Sequence, residues 1–394
     1  MPDYKSKLYG RNDVVTALFQ LFNAGDNVAM PGPRRLGKSF VLDRVVEWAP
    51  EHGWRAIKLD VAGISEFKDL YRYLCTEVNK QPQVPSKTWG FITQRFGQVT
   101  NPRHEQGSTW FQNLLTHDHQ TQFEKILEKL NTDKVTRWAL LIDELPIFLK
   151  ALHDKGPDGI TQARNFMNHL ARLQAQFPSL RWLITGSIGI EPLAREGQYL
   201  ALLTKYRPFE LLPLSLAQAH DFLFDLATEG RLQHRQSISP AEAQAITNEV
   251  QWLSAFYLRE VAQNLRGTVQ TEAQSVAAQV EAAVQLLIAP QNVQLFGPWE
   301  DHLRKHYNDA DRRMAIGVLN GLAELNVSSF STLLAKADTP NLAANQFLSL
   351  LTRLHVEGYI QCSDWDAATS SATFSYLSPL LRRRWKRFAL PLTA

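Results

Sequence analysis

Gly32-Pro33-Arg34-Arg35-Leu36-Gly37-Lys38-Ser39 decides how the rest of this 394-residue chain is read. The stretch fits G-x-x-x-x-G-K-[ST], a phosphate-binding loop that runs from a strand into a helix. Small Gly32 and Gly37 let backbone N–H groups point inward at a triphosphate. Lys38 brings a cation to its β and γ oxygens, and Ser39 brings a hydroxyl to its magnesium. Residues 27–30 read as a short buried strand before the loop, and 40–48 as a helix after it. The nucleotide-binding set therefore runs through Gly32, Pro33, Arg34, Arg35, Leu36, Gly37, Lys38, Ser39 and Phe40.

About a hundred residues downstream, Trp138-Ala139-Leu140-Leu141-Ile142-Asp143-Glu144 reads as a buried strand with two carboxylates at its carboxyl end, where ligands sit in open α/β sheets. Asp143 is expected to hold magnesium, directly or through water, and Glu144 to orient or deprotonate an attacking water. Glu144-Leu145-Pro146 also suits a helix start, where an acidic residue complements the helix dipole. A further buried strand, 180–187, ends in Thr185-Gly186-Ser187. A hydroxyl there suits sensing of a γ-phosphate, and a turn built on Gly186 is the competing reading.

The remaining pattern alternates. Strands are expected at 54–61 and 206–211, with helices around 14–22, 70–78 and 160–177. That predicts a three-layer, mostly parallel α/β core over residues 1–213. Within it, 80–134 reads as a helical insertion whose aromatics, Trp89, Phe91, Phe96, Trp110, Phe111 and Phe123, form a small core of its own. A base-stacking platform is the sharper alternative. His117-Asp118-His119 lacks a third or fourth ligand nearby and reads as the solvated start of a helix rather than a metal site.

From 214 to 290 the pattern is helical, as in a lid. Residues 291–308, with Gly297-Pro298, read as a linker. Over 309–394, helices at 312–325, 331–336 and 342–357 precede a hairpin of 358–361 and 373–377, the winged-helix order. A basic amphipathic helix closes the chain with Arg382, Arg383, Arg384, Lys386 and Arg387.

Composition sets looser bounds. Apolar residues make up 44% of the chain, ample for two or three cores. A net charge of +3 is too small to announce nucleic acid. The two cysteines, Cys75 and Cys362, form no metal spacing and suit a reducing cytoplasm. The first residues open no signal peptide, and no apolar run approaches the ~18 residues of a membrane span. A cytoplasmic protein with no membrane partner is expected.

Taken together, the phosphate loop, Leu140-Leu141-Ile142-Asp143-Glu144 and Ile184-Thr185-Gly186-Ser187 resemble the prokaryotic AAA+/STAND ATPases often called the archaeal-ATPase family. Tyr9-Gly10-Arg11, Leu212-Pro213-Leu214-Ser215 and the closing Leu-Leu-Arg-Arg-Arg-Trp fit as well. The resemblance implies ATP and Mg2+, and nucleotide-dependent change among core, lid and winged helix. It places Gly10 and Arg11 near the adenine, Lys38 and Ser39 at the phosphates, Asp143 and Glu144 at the metal and water, and Thr185 or Ser187 as sensor. Arg207 resembles the arginine such ATPases carry before the lid, reaching a γ-phosphate in its own chain or, in an ATP-state homo-oligomer, a neighbour's. The lid departs from the family's Gly-Gly-x-Pro contact with Trp252-Leu253-Ser254-Ala255-Phe256.

Two roles follow from this. An ATP-driven switch acting on DNA, of initiator, transposition or mobile-element type, would use the winged helix and its basic helix. A STAND-like signalling or defence ATPase would bind a protein partner through the winged helix and the aromatic insertion. A scaffold without turnover is argued against by the intact Asp143-Glu144.

Overall fold

The computed structural model describes residues 11–79, 109–133, 135–233, 235–265, 275–337 and 343–388. They group into two compact units. One comprises Asp13–Pro31 and Lys38–Glu210; the other gathers Arg11 and Asn12, the loop Gly32–Gly37, and the chain from Leu211 onward.

The first unit holds β1 (Asn27–Pro31), β2 (Trp54–Asp60), β3 (Arg137–Asp143), β4 (Arg181–Gly186) and β5 (Tyr206–Pro208) in one sheet, ordered β2-β3-β4-β1-β5. Every pairing is parallel. Beyond Arg137, every residue of β3 is buried. A strand that must be apolar on both faces is one covered on both, and the flanking helices supply the cover. These are α1 (Asn12–Ala24), α2 (Lys38–Trp48), α3 (Phe67–Asn79), α4 (Thr109–Thr132), α5 (Leu145–His153), α6 (Pro157–Gln176) and α7 (Ile190–Glu196).

Helix α4 corrects two expectations. Phe123 joins Ile126, Leu127 and Leu130 in the same cluster as Tyr71, Trp138 and Trp182, so it packs into the main core and not a separate one. His117-Asp118-His119 lies in the middle of a 24-residue helix and not at its start. Trp89, Phe91 and Phe96 lie outside the described residues, as do the side chains of Trp110 and Phe111.

In the second unit, α8 (Leu216–Thr228), α9 (Pro240–Val250), α10 (Ala255–Asn264) and α11 (Val276–Leu287) come first. Ser215 with Gln218 and Ser239 with Glu242 form capping boxes that start α8 and α9. The stretch expected as a linker is instead α12 (Val293–His306), with Pro298 inside it. Gly297-Pro298 signals a break, because a proline withholds one helical donor. That cost is outweighed here by burial of Phe296, Trp299 and Leu303 at helical spacing. The helix is a hub: Trp299 Nε1 donates to Tyr257 Oη of α10 at 2.9 Å, and Tyr359 Oη donates to the Trp299 carbonyl at 2.7 Å.

The chain ends in α13 (Asp309–Leu325), β6 (Val327–Ser329), α14 (Phe330–Lys336), α15 (Ala344–Val356), β7 (Ile360–Cys362), β8 (Thr373–Tyr376) and α16 (Pro379–Arg387). The strands form an antiparallel sheet ordered β6-β8-β7. Among the described residues, no helix is long and apolar enough to cross a membrane.

Candidate functional site

In the sheet unit, the polar groups singled out from sequence collect at the carboxyl ends of β3 and β4. Strand β4 lies beside β1, whose last residue, Pro31, leads into the phosphate loop. Asp143 is 2% exposed and accepts a hydrogen bond from Thr185 Oγ1. Glu144 sits in the left-handed region at φ 59°. Its own N–H donates to Thr185 Oγ1 at 3.3 Å, and Oε2 of its carboxylate accepts from both the N–H and the hydroxyl of Ser187, each at 2.8 Å. A non-glycine residue held at positive φ costs of order 1–3 kcal/mol and persists only where its surroundings impose it. Gly186 makes the arrangement fit, because a Cβ there would come within 2.4 Å of Pro146 Cγ. That close approach brings Thr185 and Ser187 onto the acidic pair, so Gly186 serves both readings, the turn and the placement of hydroxyls.

Lys38 is buried at the first position of α2, whose first turn carries no acidic residue. The positive dipole end of α2 suits an anion. Ser39 and Phe40 follow it and are exposed.

Lys58 was not anticipated. From the middle of β2 its ammonium donates to Asp43 Oδ1 of α2 at 2.8 Å and to the Ser39 carbonyl at 3.2 Å, with Asp143 Oδ2 3.6 Å away. The signal was present as a lysine between buried Ile57 and Leu59, in a strand where a charge needs a reason. For magnesium the donors fit: a serine hydroxyl and a buried carboxylate are hard oxygen ligands, and Asp143 already has a cation beside it. Among the described residues no three ligating His, Cys, Asp or Glu side chains come together.

The loop residues of the other unit are fixed by its own helices. Arg35 takes φ 66° and Gly37 φ 99°. Ser254 Oγ donates to the Arg35 carbonyl, and the Arg35 guanidinium lies 4.1 Å from the centroid of Phe256. The segment expected to form a lid contact, which departs from Gly-Gly-x-Pro, thus meets Arg35 of the loop. Arg11 is 5% exposed and donates to the carbonyls of Leu212 at 2.6 Å and Leu36 at 3.1 Å; burial pushes its guanidinium pKa down to about 10. Its donors join loop to lid, where an adenine contact was expected, and Gly10 lies outside the described residues. Arg34 Nε is buried without a hydrogen-bond partner. Gly358, at the start of the hairpin with φ 86°, approaches Pro33 so closely that a Cβ would fall 2.3 Å from the proline Cβ.

Arg207, expected to reach a γ-phosphate in its own chain or a neighbour's, lies on β5. It is opposite Val28 in the parallel register, near the start of β1, and pairs with Asp26 at 3.1 Å. At about 3.3 Å per residue it stands some 10 Å before the last residue of β1.

The basic helix α16 departs from expectation. Arg384 is 4% exposed and donates to the carbonyls of Ile288 and Ala289 at 3.0 and 3.2 Å. Arg383 pairs with Glu249 at 2.6 Å and Glu281 at 2.8 Å. Arg382 Nε reaches the Leu322 carbonyl. Lys386 and Arg387 remain exposed. The five cations therefore do not form one solvated face; two of them are spent joining α16 to α9 and to the end of α11.

No protein-family model matches the chain, and no curated protein sequence does. Solved structures do. The chain is similar to the Walker-type ATPase of Pyrococcus abyssi, with a TM-score of 0.62 at 15% identity, over 96% of this chain and 95% of that one. It is also similar to the ORC2 protein of Aeropyrum pernix, solved in ADPNP–ADP complexes, with a TM-score of 0.54 at 12% identity, over 98% and 94% of the two chains. At such identities the likeness is one of fold. It gives this chain the fold of those two structures, with a mostly parallel α/β sheet at its core.

Proposed function

We propose that this chain is an ATP-binding, Mg2+-dependent ATPase whose nucleotide state is passed to a carboxyl-terminal winged-helix module acting on DNA. The observation that carries the ATPase reading is the hydrogen bonding of Thr185 and Ser187 to Asp143 and Glu144 at the carboxyl end of the sheet. In this reading Lys38 and the loop N–H groups hold the phosphates, and Ser39 and Asp143 hold magnesium, which neutralises phosphate charge when bound. Glu144 orients the attacking water, for which its carboxylate must exchange Ser187 for the water. Thr185, already bonded to Asp143, is the sensor. Arg207 is exposed and acts, in this reading, on a neighbouring subunit in an ATP-state homo-oligomer.

Coupling rests on the second unit. Pro33 and Arg35 are gripped by Gly358 of the hairpin and by Ser254 and Phe256 of the lid. A loop that rearranges around phosphate must therefore disturb both. A Gly358→Ala variant should weaken binding of a labelled ATP analogue by several-fold and blunt the nucleotide-dependent change in hydrogen exchange of residues 357–362. Wild-type exchange that is the same with and without nucleotide would remove the coupling.

One observation favours a second reading, in which the module binds protein. The exposed positions of α15 are Ala344, Asn345, Gln346, Ser349 and Thr352, none of them charged. Arg353 is turned inward, bonded to Glu357 at 3.0 Å and the His306 carbonyl at 2.6 Å. Such a helix offers few partners for a phosphate backbone. Pull-down with a hydrolysis-deficient variant in ATP, followed by nuclease treatment, separates the two readings.

A further inference from the structure

Lys58 is the group in the sheet unit that the ATPase reading leaves without a task. Its side chain is 23% exposed and rises from a strand buried on both sides of it. Placing an ammonium there costs desolvation, offset by three oxygens: Asp43 Oδ1, the Ser39 carbonyl and, farther off, Asp143 Oδ2. Two of those three residues, Ser39 and Asp143, are the ones assigned to the metal. The third, Asp43, is half exposed and carries no role in nucleotide chemistry.

From this arrangement we infer that Lys58 is a built-in competitor for the metal. Without metal its ammonium neutralises buried Asp143; when a divalent cation takes its place beside Asp143, the ammonium withdraws onto Asp43. The inference rests on the nucleotide-site reading above. Its physical basis is that an ammonium and a hydrated divalent cation repel each other and cannot share one carboxylate face at contact distance. Asp43 makes the exchange feasible, since the ammonium is already closer to it, at 2.8 Å against 3.6 Å, and keeps that partner when it gives up Asp143. The consequence is a raised metal threshold: the site loads only where free metal is high enough to displace the lysine.

The test is Mn2+ binding to the full chain in the presence of a non-hydrolysable ATP analogue, followed by the electron paramagnetic resonance signal of free Mn2+. Lys58→Met should bind Mn2+ about ten-fold more tightly than wild type, the order expected when one charge is removed a few ångström from a metal in a partly solvated site. Its melting temperature without nucleotide should fall in chelator and recover with Mn2+, while that of wild type changes little. Lys58→Gln, which keeps a donor for Asp43, reads the same quantity if the Met variant does not fold. Equal or weaker Mn2+ binding in the folded variant overturns the inference. Asp143→Asn separates the two readings. If it abolishes Mn2+ binding while Lys58→Met matches wild type, only the competitor falls. If it leaves Mn2+ binding intact, the metal site is not at Asp143 and both fall.

Discussion

The acidic ends of β3 and β4 and the basic helix α16 are both dense in charge, and the fold uses them in opposite ways. At the strand ends, Asp143 and Glu144 are held by hydroxyls, a backbone N–H and a lysine ammonium, all partners that a ligand, a metal or water can replace. On α16, Arg384 donates to two backbone carbonyls and Arg383 to two carboxylates of neighbouring helices. The Ile288 carbonyl that Arg384 meets is buried and has no substitute in solvent, while the carboxylates that Arg383 meets are partly exposed. A cluster of charge marks a site where its partners are exchangeable, and marks architecture where they are not.

The largest expected effect tests the exchangeable side. Glu144→Gln keeps a side chain able to accept a hydrogen bond from Ser187 and to contact water, yet an amide is a very poor base. ATP turnover should fall by about 10²–10⁴-fold with nucleotide affinity preserved. Phosphate release measured beside analogue binding checks both halves. Wild-type turnover would strip Glu144 of its role and leave its positive φ and paired hydrogen bonds without a purpose.

Next in size is Lys38→Ala, which removes a charge-assisted contact to phosphate. Contacts to charged groups contribute about 1.5–3 kcal/mol, so affinity for a labelled ATP analogue should drop by roughly 10–100-fold. Melting temperature should hold near wild type, because the lysine begins helix α2 and adds little to the apolar core. Unchanged affinity would break the phosphate-loop assignment.

These two residues were legible in sequence because their chemistry is local. Lys38 belongs to an eight-residue pattern, and Asp143-Glu144 stands at the end of one continuous apolar run. The parallel sheet was legible for the same reason, strand by strand. Lys58 and Asp43 were not, because fifteen residues separate them and the packing of α2 beside β2 brings them together. The hub helix α12 was hidden by Gly297-Pro298, a local break signal overridden by the burial of Phe296 and Trp299. Arg384 was hidden by composition: in a run of arginines nothing local tells which one faces inward. Its apolar neighbours Leu380, Leu381 and Trp385 set that face, and Arg384 shares it.

Arg384→Met sharpens the contrast from the other side. It keeps much of the apolar volume and leaves the Ile288 carbonyl without its donor, while that of Ala289 still accepts from the Asn292 N–H. Leaving a buried acceptor unpaired costs about 1–3 kcal/mol, so melting should shift down by several degrees. Nucleotide binding should be unaffected. A variant as stable as wild type would mean that the Ile288 carbonyl finds another donor, and that Arg384 is free for a partner after all.

The smallest effect concerns what remains exposed. If α16 meets duplex DNA, its phosphate contacts fall to Lys386 and Arg387, since Arg382, Arg383 and Arg384 already have partners. Each contact lowers the slope of log affinity against log salt by about 0.9, so replacing both residues with Ala should flatten that slope by at most about two units. Arg383→Ala should instead leave the slope unchanged and weaken stability by up to about 1 kcal/mol, the scale of a partly exposed ion pair. The two titrations are opposed by design. A slope that responds to Arg383 and not to Lys386 and Arg387 would mean that DNA competes Arg383 away from Glu249 and Glu281. That residue would then belong with the exchangeable groups at the strand ends, and the distinction between the two regions would have to be redrawn there.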